Sequence, residues 1–238
     1  MLKRQDLIFS PFIYDAGSFQ NIELGFTHEE KFRHTVEVAY TGYNSSFFGT
    51  YEYLNDGKPT ETLPQFFNLI DINYTFNKRV CSKNNYSLYA GGQFANNVDV
   101  MTYNYGWAGY FGYFATFGIN LTGSINYKFN NTNMLEAGIA IPFVSLVARS
   151  PYLMNDDEFI ANNYSHNGVK TFFAYLTDGK FETINHLQKV EFNLNYTQLL
   201  SEKWAIGGSY NLDFTHYQPV AAFTSIENKF HLSASYTF

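Results

Sequence analysis

The chain has 238 residues, a net charge of −6 and one cysteine, Cys81. That acidic balance, with no basic cluster, excludes nucleic acid as a partner, and a lone cysteine excludes an internal disulfide framework. The length suits one large all-β domain over 1–238. Aromatic residues make up 20% and charged residues only 15%, against roughly 25% charged in ordinary soluble domains. Such a composition fits a surface that meets lipid on one side and water on the other. No stretch approaches the roughly 18 apolar residues of a membrane helix. The opening "MLKRQDLIF" has a basic lead but no apolar run of signal-peptide length, which reads as a trimmed chain.

In chain order, "DLIFSPFIY" is the first and least regular predicted strand, turning through "DAGSFQN" into "IELGFT". "HTVEVAYTG" sets Val36, Val38 and Tyr40 opposite Glu37 and Thr41. "LIDINYTF" sets Ile70, Ile72, Tyr74 and Phe76 against Asp71, Asn73 and Thr75. "YSLYAGGQF" alternates more weakly, and "INLTGSINYKF" does so strictly. In "LEAGIAIPFVSLVAR" the parity slips between Ile141 and Leu146, and Pro142 cannot donate to a ladder. A bulge near Pro142 and Phe143 absorbs both faults. "VEFNLNYT", "WAIGGSYNLDF" and "KFHLSASYTF" complete the series. A period of two puts each set of side chains on one face of a strand.

The connections alternate in length. "THEEKFRH", "NKRVCSKNN", "FNNTNM" and "LSEKW" are short, whereas 44–65, 96–116, 148–187 and 216–227 read as long loops. Nine strands are clear and the opening segment supplies a tenth, with eight and twelve as alternatives. Alternation and two loop classes resemble Gram-negative outer-membrane β-barrel proteins. The terminal "HLSASYTF" looks like that family's assembly signal, carried by Phe230, Leu232, Tyr236 and Phe238. The resemblance is to an architecture and not to one functional family. It implies a closed antiparallel up-and-down transmembrane barrel of ten strands, with short periplasmic turns and long extracellular loops. Outer-membrane lipid and the barrel-insertion machinery are then its implied partners. Tyr74, Phe76, Tyr127, Phe129, Trp204, Tyr236 and Phe238 would form the periplasmic girdle.

The inner wall is expected to carry Glu23, Glu37, Asp71, Lys128, Glu136, Glu191, Asp213 and Lys229, a charge-paired network filling a narrow lumen. Sharper chemical readings are available. His231 and Ser233 lie two apart on one face, a spacing used by outer-membrane phospholipases and deacylases, which need a third group to orient the histidine. Asp213 and His216, with Asp99 near another rim, resemble weakly the set of outer-membrane proteases. Asp156, Asp157 and Glu158 are candidate cation ligands but read as a solvated patch. Ser165 and His166 are neighbours without nucleophile–base geometry, and Cys81 falls in a periplasmic turn. No catalytic, metal or cofactor site is assigned.

The segment "YNYGWAGYFGYF" places Tyr103, Tyr105, Trp107, Tyr110, Phe111 and Tyr113 among glycines. It reads as an aromatic girdle or as a partner-binding loop. A short helix is expected at "DDEFIA". The function expected is a non-enzymatic accessory or interaction subunit of a larger outer-membrane complex, bound to another outer-membrane protein. A narrow diffusion channel and an outer-membrane hydrolase are the alternatives.

Overall fold

The computed structural model describes residues 1–45, 52–61, 64–105, 108–150, 176–177 and 179–238. The strands are β1 (Leu2–Asp6), β2 (Ser10–Ala16), β3 (Asn21–Glu29), β4 (Phe32–Ser45), β5 (Glu52–Asn55), β6 (Lys58–Glu61) and β7 (Gln65–Lys83). They continue as β8 (Tyr86–Tyr105), β9 (Ala108–Lys128), β10 (Asn133–Arg149), β11 (Lys180–Glu182), β12 (Leu187–Leu199), β13 (Trp204–Tyr217) and β14 (Phe223–Tyr236). Twelve of them form one antiparallel up-and-down sheet in the order β2-β1-β14-β13-β12-β10-β9-β8-β7-β4-β3, with β11 beside β10. The sheet curls around an interior, since Lys229 on β14 reaches Asp71 on β7 and Arg33 on β4 reaches Glu136 on β10. Among the described residues no ladder joins β3 to β14, so the barrel-like sheet is open along that line.

The nine clear strands of the sequence are β3, β4, β7–β10 and β12–β14. The expected tenth strand is instead the hairpin β1–β2, and with the short β11 the sheet has twelve strands, the upper alternative, and not ten. Asp6 causes the reversal: its carboxylate accepts the Ile8 amide and its carbonyl accepts the Phe9 amide. Ser10 then accepts the Phe12 amide through its hydroxyl. These local bonds offer the backbone a turn in place of a ladder. The three-residue β11 is too short to leave a period in the sequence.

Two expected long loops are corrected. Strands β8 and β9 run through most of 96–116, and β13 and β14 through most of 216–227, leaving five residues at 218–222. Within 44–65, β5 and β6 form a hairpin on Asp56 and Gly57, both at positive φ, the conformation a tight reversal demands. The short connections fall at 30–31, 84–85, 129–132 and 200–203, and β7 takes up most of the expected turn at 77–85. Asn130 closes one by accepting the Thr132 and Asn133 amides. Cys81 lies in β7 next to a register shift and not in a turn. The expected helix at "DDEFIA" and the residues Asp156, Asp157, Glu158, Ser165 and His166 lie outside the described residues.

The bulge at Pro142 is present: the β9–β10 register shifts between Pro142 and Val144. On its other side β10 pairs with β12 only up to Ala140, and with β11 only from Ser145. Pro142 therefore sits where no neighbour asks it for a donor. Gly118 lies opposite Ser145, just past the bulge, where a Cβ would fall 2.1 Å from the Ser145 hydroxyl and 2.6 Å from the Val144 carbonyl oxygen. Gly118→Val is expected to push β9 off β10 and cost about 1–3 kcal/mol, read as a lower urea midpoint at unchanged slope.

Side chains sort by height as well as by face. At the short-turn end the interior is polar and the exterior apolar. Toward the long-loop end the interior becomes an apolar plug of Leu2, Phe9, Tyr14, Phe67, Met101, Tyr103, Phe114, Leu187 and Phe223. Phe114 stacks on Phe223 at 4.2 Å, and Tyr14 packs edge-on to Phe67 and Tyr103. Hairpin β1–β2 supplies much of this plug from its inward face.

Candidate functional site

Below the plug lies a polar cavity of about 280 Å³. Seven of the eight expected wall residues line it: Glu23, Glu37, Asp71, Glu136, Glu191, Asp213 and Lys229. Lys128 does not; it is exposed at the last position of β9, beyond the cavity. Lys229 is the hub. Its Nζ lies 2.8 Å from Glu227, 3.1 Å from Asp71 and 3.6 Å from Asp213, joining three strands. Tyr43 donates to the other Glu227 oxygen at 2.9 Å. Lys189 holds Glu191 at 2.7 Å and donates to Asn97. Arg33 grips Glu136 with two parallel bonds of 2.6 and 2.8 Å, the fork geometry that makes guanidinium–carboxylate pairs directional.

Two further ion pairs fasten the hairpin into the plug. Arg4 donates to Asp99 at 2.5 Å and lies over the Phe67 and Phe223 rings. Arg149 donates to Asp6 at 2.5 Å and to the carbonyls of Pro219 and Ala221. These cations, with Arg33, Lys189 and Glu227, were not anticipated. Parity could have found two of them, because Lys189 shares a face with Glu191 and Glu227 with Lys229.

The hydrolytic candidates do not assemble. His231 and Ser233 both lie on the inward parity. However, His231 Nδ1 lies 3.3 Å from Glu23 and its Nε2 accepts from Asn21 at 2.9 Å. Both ring nitrogens are thus occupied by groups other than a hydroxyl, so His231 is not placed as a base for Ser233. Asp213 faces Lys229, whereas His216, three residues on along the strand, bonds Thr224. An odd spacing puts them on opposite faces. Asp99 is committed to Arg4. Among the described residues no group of three or more His, Cys, Asp or Glu is placed to hold a metal ion.

No protein-family model matches the chain, and no curated protein matches it.

The aromatic segment also changes character. Tyr103 is fully buried in the plug, and Tyr113 is buried with Ala115 and Ala148 in a second small cluster. Neither is available as an exposed partner anchor. Trp107 lies outside the described residues, as do the side chains of Tyr105, Tyr110 and Phe111. The exposed apolar surface lies elsewhere. Outward positions Ile70, Ile72, Phe94, Leu121, Ile125 and Ile206 form a band around the sheet. Aromatic pairs flank it at the short-turn end, with Trp204 edge-on to Tyr236 at 5.1 Å and Tyr127 edge-on to Phe129 at 5.0 Å. Phe230, Leu232, Tyr236 and Phe238 are all exposed on this outer face.

Proposed function

We propose that the chain is an integral outer-membrane β-barrel without catalytic activity, serving as an interaction subunit of a larger outer-membrane assembly. One observation carries the reading: the molecule is apolar outside and ion-paired inside at the short-turn end. A soluble sheet buries its apolar face, and contiguous exposed apolar surface beyond a few hundred Å² marks an interaction or membrane site. A band of outward Ile, Leu and Phe with an aromatic rim has the composition expected against hydrocarbon. Phe238 and the alternate residues before it lie outward, where an insertion factor could read them.

The interior argues for a binding role over a channel. The plug and its two arginine pairs close the long-loop end, and Lys229 ties the wall across the middle. The experiment is extraction in mild detergent followed by native mass spectrometry and by planar-bilayer recording. The expected result is a stoichiometric protein partner and no unitary conductance. A lone 27.4 kDa species in several mild detergents, with steady conductance, would instead favour a diffusion channel.

A further inference from the structure

The outer wall carries a groove where it crosses β13. Tyr196, Gly208 and Leu232 form one row across β12, β13 and β14, and Leu194, Tyr210 and Phe230 form the row above it. Gly208 gives the floor no side chain. Leu135 and Tyr196 wall one side, Phe230 and Leu232 wall the other, and the volume between them is about 350 Å³. Tyr210 closes the upper end, its ring 4.9 Å from that of Phe230. Each tyrosine hydroxyl is bonded to a residue outside the groove. Tyr210 donates to Asn228 at 2.7 Å and Tyr196 donates to Asn133 at 2.6 Å. The rings therefore meet the groove as apolar walls.

Packing does not force a glycine at the floor. At the neighbouring Gly207 a Cβ would fall 2.6 Å from the Tyr196 carbonyl oxygen, so glycine is required there. At Gly208 the nearest atom would be the His231 carbonyl oxygen at 3.8 Å, an ordinary contact. Glycine weakens a strand interior and often marks a place where a ligand comes close. The width of the groove selects that ligand. The backbones of Tyr196 and Leu232 lie two strand spacings apart, about 10 Å. An α-helix with its side chains is about 10–12 Å across and cannot sit between walls built on those strands, whereas one hydrocarbon chain can. Charge below the groove selects the other end of the ligand. Five exposed lysines, Lys31, Lys78, Lys83, Lys128 and Lys203, stand at the short-turn end, and among the described residues none of them has an ion pair. Of the acids there, Glu29 is held by Arg79 and Glu30 faces His28, which leaves Glu202. Lys203 lies beneath the groove in the turn from β12 to β13, and its carbonyl accepts the Thr237 amide at 2.9 Å.

We propose that this groove binds one anionic phospholipid of the leaflet at the short-turn end, with its phosphate at Lys203 and one acyl chain over Gly208. This rests on the reading of the chain as a membrane barrel, and it adds a ligand to the outer wall. The dimensions agree with it. Lys203 lies five residues below Gly208, about 13 Å along the membrane normal for strands tilted about 40°. Half of a band about 25 Å tall is close to that height. A chain anchored at Lys203 thus runs over Gly208 and ends below Tyr210. A phospholipid without net charge gains the groove but not the lysine, a difference of about fivefold in binding.

The test folds the full chain in mild detergent with equal amounts of dimyristoyl phosphatidylglycerol and dimyristoyl phosphatidylcholine. Retained lipid is read by native mass spectrometry. One phosphatidylglycerol per chain is expected to stay bound. Lys203→Gln, in an exposed turn, is expected to lower the ratio of phosphatidylglycerol to phosphatidylcholine about fivefold. Gly208→Leu fills the floor and is expected to lose both lipids. Gly123→Leu, at an outward position of β9 where a Cβ would meet nothing closer than 3.9 Å, is expected to keep them. A phosphatidylglycerol with a diazirine at the end of its tail is expected to crosslink to Tyr196, Tyr210 or Phe230. Equal retention of the two lipids by the unaltered chain, retention unchanged by Gly208→Leu, or crosslinks confined to other strands would each overturn the proposal. A copurifying protein displaced by Gly208→Leu would also overturn it and give the groove to a polypeptide. Failure of the membrane reading would appear separately, as release of the chain from its membrane fraction by alkaline carbonate.

Discussion

Replacing Arg4 with methionine is expected to destabilise the folded chain by about 3–5 kcal/mol, the usual cost of orphaning a buried ion. The argument begins with position. Arg4 is 2% exposed, and its guanidinium bonds Asp99 on β8 and Ser225 on β14 while facing the Phe67 and Phe223 rings. Methionine fills much of the same volume, so packing is largely kept. What is lost is the cationic partner of the Asp99 carboxylate, which is itself buried. The companion change tests this cause. Arg4→Met with Asp99→Leu removes both charges and is expected to be near neutral, or more stable by up to about 4 kcal/mol. Urea unfolding in micelles, followed by intrinsic fluorescence, gives both values and their coupling. A single change that costs less than about 1 kcal/mol would mean that hairpin β1–β2 is held by its ladder alone.

The same pair explains why half of the fold was hidden in the sequence. Alternation is visible only where the two faces differ in polarity. At the short-turn end Asp71, Asn73 and Thr75 face in and Ile70, Ile72 and Tyr74 face out, so β7 is plain. At the plugged end Met101, Tyr103 and Phe114 face in while Val98, Val100 and Tyr113 lie on the other parity. Both faces are then apolar, the period vanishes, and a continuing strand reads as an aromatic loop. Hairpin β1–β2 was hidden for a different reason: its turn is set by side-chain bonds from Asp6 and Ser10, which no periodicity carries. Pro142 was legible because a missing donor is a local fact. Seven of the eight wall residues were legible because parity alone places them inside. Lys128 failed because parity gives the face and not the height. Arg4 and Arg149 could not be placed without the hairpin they fasten.

The second large effect separates a membrane band from an exposed soluble face. Ile125 points outward four residues before Phe129, which is about 10 Å along the membrane normal for strands tilted about 40°. In a band about 25 Å tall that is close to the midplane. Ile125→Arg is therefore expected to cost about 2–4 kcal/mol in lipid vesicles, while Phe129→Arg, at the rim, should cost about 0–1 kcal/mol. The contrast in depth carries the test. Ile125 is 42% and Phe129 55% exposed, so a soluble protein would tolerate arginine at either, within about 0.5 kcal/mol. Folding each variant into vesicles and measuring urea midpoints gives the two costs side by side. A steep difference requires hydrocarbon at Ile125. Equal and small costs would place water there, and the apolar band would then have to be covered by protein.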